Sequence, residues 1–351
     1  MAPERASAFA PGRVCVIGEH TDYNDGLALA LAIAQGVTVR AQRLQPGPDG
    51  REIVRAHALD LGEHDEFALA DPARAAGWRA FVRGTVAELT RAGLRPVGAS
   101  LEISGDVPRG AGMSSSAALE VALALALLAL AGTADAIGRT ALAKLASRVE
   151  NEWAGARTGL LDQLTSLYGE RGQAVRIDFQ TLGVQAAPLE LDGWRLVTLD
   201  TGERRENASS GYNQRREECA RACELLGVPS LRDATFEEVL PLPEPLRRRA
   251  RHVLSDNARV DAAVAALRAS DLPRLAALLN KSHASLRDDM EISTPIVEAA
   301  VEGMLDAGAA GARLLGGGFG GSVLGLLPPG VATPSGALEM RPSAGARVLN
   351  G

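Results

Sequence analysis

At 351 residues, with 46% hydrophobic and 23% charged side chains, the chain has the make-up of a soluble globular protein and enough length for two cores. A net charge of −6 and an aromatic content of 3% argue against a nucleic-acid partner, which needs a basic footprint and stacking platforms. Cys15, Cys219 and Cys223 are too few to pair completely; they read as small packing residues in a reducing cytoplasm. Met1 to Arg5 lack the pattern of a secretory leader. The longest apolar run, Val121 to Ala131, falls well short of the roughly 20 residues a bilayer requires, so no membrane partner is expected.

The first forty residues alternate in strand fashion and turn at Asp25-Gly26. A surface turn from Gln45 to Gly50 precedes a strand from Glu52 to Ala58. Trp78 to Ala92 carries helical apolar spacing (Phe81, Val82, Val86, Leu89) and stops at Gly93. Ala99 to Ser104 is a strand, helices are predicted over 115–131, 140–156 and 160–168, and strands over Ala174 to Phe179 and Trp194 to Asp200. Further helices are expected over 207–226, 245–268, 271–289 and 294–308, then a strand-loop-strand from Ala312 to Leu327 and a short tail. A boundary near 178–190 divides the chain into expected domains 1–180 and 181–351.

Four segments carry chemistry. Gly18-Glu19-His20-Thr21-Asp22-Tyr23-Asn24 places six consecutive hydrogen-bonding side chains after the apolar run Val14 to Ile17. Such a cluster suits a polyol, whose hydroxyls both donate and accept; a solvated turn is the plainer alternative. Pro108 to Ala117 is a Gly- and Ser-rich loop between a strand and an Ala/Leu helix. Its small residues and the bare N–H groups of a helix start can cradle phosphate, although a well-capped helix after a turn would look similar. Only two lysines occur, Lys144 and Lys281, and neither follows a glycine loop, which rules out a Walker A site. Asp162 sits in the apolar stretch Gly159-Leu160-Leu161-Asp162-Gln163, a setting that also suits a cap or a paired structural acid. Gly316 to Gly321 formally matches a dinucleotide fingerprint, but a strand rather than a helix follows it, so that reading fails.

Together these segments resemble galactokinases of the GHMP kinase superfamily, with motifs in the family's order and a likeness running from about residue 9 to 349. Cys15, Asp25 and Ala30 stand where Asn, Gly and Pro are usual, and Ser322 stands for a usual Cys. The resemblance implies an α+β, two-domain GHMP fold, with a ribosomal-protein-like N-terminal domain and a ferredoxin-like C-terminal one. The active site would lie between them. It implies an enzyme that uses ATP and Mg²⁺ to phosphorylate the anomeric hydroxyl of galactose.

On that resemblance, Asp162 and Arg13 are the catalytic pair, and Glu19, His20, Thr21, Asp22, Tyr212 and Asp162 hold the sugar. Pro108, Gly110, Ala111, Gly112, Met113, Ser114, Ser115, Ser116 and Ala117 bind ATP, while Ser116 and Glu150 hold the metal, with Glu120 as an alternative. Glu150 would otherwise pass for a solvated helix acid, and Tyr212 for a buried helix tyrosine. His252 and His283, in further family-like segments, are read as structural. The rival functions are a kinase for N-acetylgalactosamine, arabinose or galacturonate, and a non-catalytic galactose/ATP sensor; the intact Ser116-Ala117 step favours catalysis. A monomer or weak homo-oligomer is expected.

Overall fold

The computed structural model describes residues 3–108, 112–203 and 208–349. The chain opens with two long antiparallel strands, β1 (Arg5–Ile17) and β2 (Leu27–Arg43), joined by a short 3₁₀ turn at Asp22–Asn24. There follow β3 (Ile53–Ala58), β4 (Glu63–Ala68), α1 (Trp78–Arg91), β5 (Ala99–Gly105), α2 (Ser115–Ala131), α3 (Arg139–Arg148), α4 (Leu161–Tyr168), β6 (Gln173–Asp178), β7 (Gly183–Pro188) and β8 (Arg195–Asp200). The second half runs α5 (Ala208–Leu226), α6 (Phe236–Val239), α7 (Leu246–Arg268), α8 (Leu272–Asp288), α9 (Pro295–Asp306), β9 (Gly311–Leu315), β10 (Ser322–Leu327), β11 (Leu338–Met340) and β12 (Arg347–Leu349).

An eight-stranded sheet has the order β12-β1-β2-β5-β3-β4, with β6 pairing β2 and β7 pairing β6; a four-stranded sheet has the order β11-β8-β10-β9. Strand β2 is long enough to pair β6 near its start and β5 near its end. The first sheet also takes β7 and β12 from beyond residue 180.

Helix α2 is apolar on every side, the mark of a helix surrounded by protein, and it packs against both β1 and β2. Gly132 ends it in the left-handed region (φ 75°), and Thr133 N–H returns to Leu128 O at 2.9 Å. The four-stranded sheet buries Val197, Leu314 and Val323 against Val297, Val301 and Met304 of α9.

Three expectations change. The helix predicted over 140–156 ends at Arg148 and widens into a π-helical turn, Val149–Trp153, with Ala154 N–H reaching Val149 O at 3.2 Å. That wider turn lets Glu150 point inward while Trp153 packs where a Cβ on Gly84 would lie 2.7 Å from its ring. Strands β4 and β7 are polar or half-exposed edge strands without apolar alternation, and β11 and β12 are three residues long, so none carries a periodic signal. The expected short tail therefore returns to pair with β1.

Candidate functional site

The loop between β1 and β2 is held in an unusual backbone. Gly18 (φ 101°), His20 (φ 60°) and Asp25 (φ 52°) all lie in the left-handed region, two of them without glycine's freedom. The resulting turn aims Glu19, His20 and Asp22 into a cavity of about 220 Å³, which Arg13, Asp162, Tyr212, Asn213, Gly317 and Gly318 also line. Glu19 Oε1 accepts from Gly316 N–H at 2.6 Å, tying the late glycine loop to this one. His20 Nδ1 lies 2.7 Å from the Tyr23 hydroxyl, and its ring packs 4.9 Å from that of Tyr212. Asp22 is pushed up to about 7, first by burial and then by the charges of Asp162 and Glu19. It sits so close to Gly159 that a Cβ there would lie 2.1 Å from Asp22 Oδ2.

Thr21, expected to hold sugar, does not face the cavity. Its hydroxyl is fully buried, 2.8 Å from Gly18 O and 2.7 Å from Leu27 O, so it braces the turn from within. A stiff β-branched residue places its single hydroxyl hydrogen between two buried carbonyls at little entropic cost, which explains its place in the run.

Asp162, in the first turn of α4, is pinned at both oxygens. Arg13 reaches Oδ1 through Nε (2.8 Å) and Nη2 (2.7 Å), while the Ser114 hydroxyl donates to Oδ2 at 2.5 Å. Arg13 also donates to Gly112 O at 2.5 Å, and its backbone N–H to Met113 O at 3.1 Å. Burial alone would pull the Arg13 guanidinium down, but Asp162 and Glu19 together raise it above its ordinary value, so it remains a fixed cation.

Of the expected phosphate loop, Gly110 and Ala111 lie outside the described residues. Pro108 and Gly112 are half-buried. Met113 and Ala117 turn their side chains into the core, leaving only backbone groups to meet a ligand. The Ser114 hydroxyl donates to Asp162, which links the expected phosphate loop to the acid. Ser115 and Ser116 open onto a second cavity, of about 490 Å³, that is walled by Val37, Leu61, Trp78, Phe81, Ile103, Val107 and Leu119. No sequence motif marked this apolar chamber. The one available hint was an indole at the start of a helix in a chain with three tryptophans.

Ser116 Oγ donates to Glu150 Oε1 at 2.8 Å, and Thr158 and Gln163 hold Glu150 Oε2 at 2.8 and 2.9 Å. Gln163 also reaches Glu120 Oε2 at 3.2 Å, while Glu120 Oε1 has no hydrogen-bond partner among the described residues. Burial, then the neighbouring charge of Asp162, raises Glu150; burial, then Glu150, raises Glu120 well above the carboxylate range. Among the described residues no three His, Cys, Asp or Glu side chains are grouped to hold a metal alone. A hydroxyl and a carboxylate side by side fit Mg²⁺, a hard cation that takes its remaining ligands from phosphate oxygens and water. Thr158 and Gln163, which orient Glu150, went unnoticed in the sequence, although Gln163 belongs to the same short motif as Asp162.

Comparison with known proteins decides the family. The galactokinase galactose-binding signature matches residues 2–43, the GHMP kinase N-terminal domain 80–170 and the GHMP kinase C-terminal domain 263–334. A galactokinase of Roseiflexus sp. is 42% identical over 91% of this chain and 82% of its own length. The chain belongs to the galactokinases. One from Streptomyces coelicolor is 39% identical, covering 90% of this chain and 82% of its own. The crystal structure of Lactococcus lactis galactokinase complexed with galactose superposes with a TM-score of 0.91 at 31% identity, covering 99% of this chain and 96% of that one. The two-domain α+β GHMP fold and a sugar-kinase activity follow from this membership. Among the described residues no helix is long and apolar enough to cross a membrane.

Proposed function

We propose that this galactokinase carries the γ-phosphoryl group of ATP to the anomeric hydroxyl of galactose across Asp162, giving α-galactose 1-phosphate. The observation that carries this assignment is that Asp162 lines the polar cavity and is bonded by Ser114, the cap of α2, whose next two residues, Ser115 and Ser116, open onto the apolar one. Galactose occupies the polar cavity with Glu19, His20, Asp22 and Tyr212 against its hydroxyls. The adenosine of ATP occupies the apolar chamber beside Trp78 and Phe81, with its phosphates at the start of α2.

Phosphoryl transfer asks the protein mainly for position and charge. Asp162 accepts the hydrogen of the attacking hydroxyl and fixes its direction; Arg13, already bound to that acid, spreads its charge over the transferring group. Ser116 and Glu150 would hold Mg²⁺, which neutralises phosphate charge when bound. The burial of Arg13 and the partial burial of Asp162 strengthen these electrostatic contacts by limiting water.

The test is ADP release with galactose, glucose, arabinose, galacturonate and N-acetylgalactosamine, with the product read by phosphorus NMR. Galactose should lead and the phosphate should appear on the α-anomeric oxygen. Faster turnover of another sugar, or phosphate on a different oxygen, would overturn the assignment.

A further inference from the structure

Helix α7 carries three polar side chains that the reaction does not use, all turned toward one loop. His252 Nε2 donates to Glu19 O at 3.0 Å, Asp256 Oδ2 accepts from Gly18 N–H at 3.1 Å, and Asn257 Oδ1 accepts from Leu27 N–H at 2.8 Å. His252 and Asp256 are one helical turn apart, which puts them on one face, and both are fully buried. Each is itself anchored. His252 Nδ1 lies 2.9 Å from Ser285 Oγ, which reaches Asp289 Oδ2 at 2.9 Å, and Asp256 Oδ1 accepts from Arg259 at 2.5 Å.

We propose that His252, Asp256 and Asn257 are positioning residues that mould the sugar loop from behind. The loop needs a mould because His20 and Asp25 sit in left-handed backbone, which persists only where the surroundings over-determine it. Its two ends are gripped at Gly18 and Leu27 and its crest at Glu19 O, the residue whose carboxylate meets Gly316. The fit is close. A Cβ on Gly26 would lie 2.6 Å from Asn257 Oδ1, so the glycine and the amide are matched. The consequence is specific to sugar, since none of the three touches the start of α2 or the apolar chamber. The inference rests on the assignment of Glu19, His20 and Asp22 to galactose.

The test compares Asn257→Leu, which keeps the branched shape and loses the acceptor, with Asn257→Asp, which keeps the acceptor. Asn257→Leu should raise the KM for galactose about tenfold or more and leave the KM for ATP unchanged; Asn257→Asp should stay near wild type. If Asn257→Leu does not fold, His252→Phe against His252→Gln, which keeps an N–H for Glu19 O, gives the same comparison. The inference is overturned if the apolar variant raises both KM values together or neither, or if the conservative variant fails equally. Asp22→Asn separates the two levels. Should it leave the galactose KM unchanged, the sugar assignment itself fails; should it raise that KM while Asn257→Leu does not, only the role of α7 fails.

Discussion

Around the loop after β1, the backbone at Gly18, Glu19 and Leu27 is bonded from α7, and Thr21 braces Gly18 and Leu27 from inside; near the start of α2, Glu120 is buried against the charge of Glu150, and Glu150 against that of Asp162. In the first region the loop's backbone is held without a ligand, although Asp22 there is also pushed upward by burial. The second holds two carboxylates pushed upward by burial and an unpartnered Glu120 Oε1 among the described residues. A neutral polyol brings no charge, so recognition depends on hydrogen-bonding groups fixed in advance. A nucleotide with its cation brings the charges that this region lacks, and with no lysine at its loop the protein leaves much of the neutralisation to them.

The largest expected break strikes where the two regions meet. Asp162→Asn should lower kcat about a thousandfold while calorimetry still shows galactose and ADP binding; near-normal turnover would remove Asp162 from the reaction. Gly159→Ala sharpens the sugar side alone. The new Cβ displaces Asp22, so the galactose KM should rise about tenfold to a hundredfold with the KM for ATP unmoved. Trp78→Ala does the reverse in the apolar chamber, raising the KM for ATP about tenfold through lost apolar burial. If either variant moved both constants, the two regions would not be separable.

The smallest effect is on stability. Asp22, Glu120 and Glu150 all have folded-state values raised above the unfolded value near 4. The native state then binds more protons than the unfolded one at Asp22 between about pH 4 and pH 7, and at Glu120 and Glu150 above about pH 4, so stability contributed by these groups is full below the unfolded value and is lost as pH rises. Buried His252 and His283, whose values are lowered, act in the opposite sense, so the comparison is with Asp22→Asn: from pH 5 to pH 8 the ligand-free melting temperature of the wild type should fall by a few degrees relative to that variant. A difference between the two proteins that does not change over that range would mean Asp22 is not held as described.

How much of this could be read from the chain varies with the physics. The long helices and the β1–β2 hairpin announce themselves because period and turn residues are local. So do Glu19, His20 and Asp22, whose concentration of hydrogen-bonding groups beside an apolar run needs no partner to be noticed; Asp162, a lone acid in an apolar stretch, stands out only through the family resemblance. Edge strands β4 and β7 stay silent, since a strand with an exposed side need not alternate. The π-turn at Glu150 is equally silent, because it is set by what Trp153 and Ser116 meet across space. Thr21 misleads for a related reason: its neighbours in sequence face the cavity while its own hydroxyl faces two carbonyls.

The order of amino acids alone established the kind of chemistry, because residue type and short spacing already limit what a loop can bind. Which groups act together was a matter of three dimensions. Arg13 meets Asp162 across 149 positions of chain, and Asp256 meets Gly18 across 238. Contacts of that span leave no periodic trace in either partner, since their geometry comes from how the layers pack.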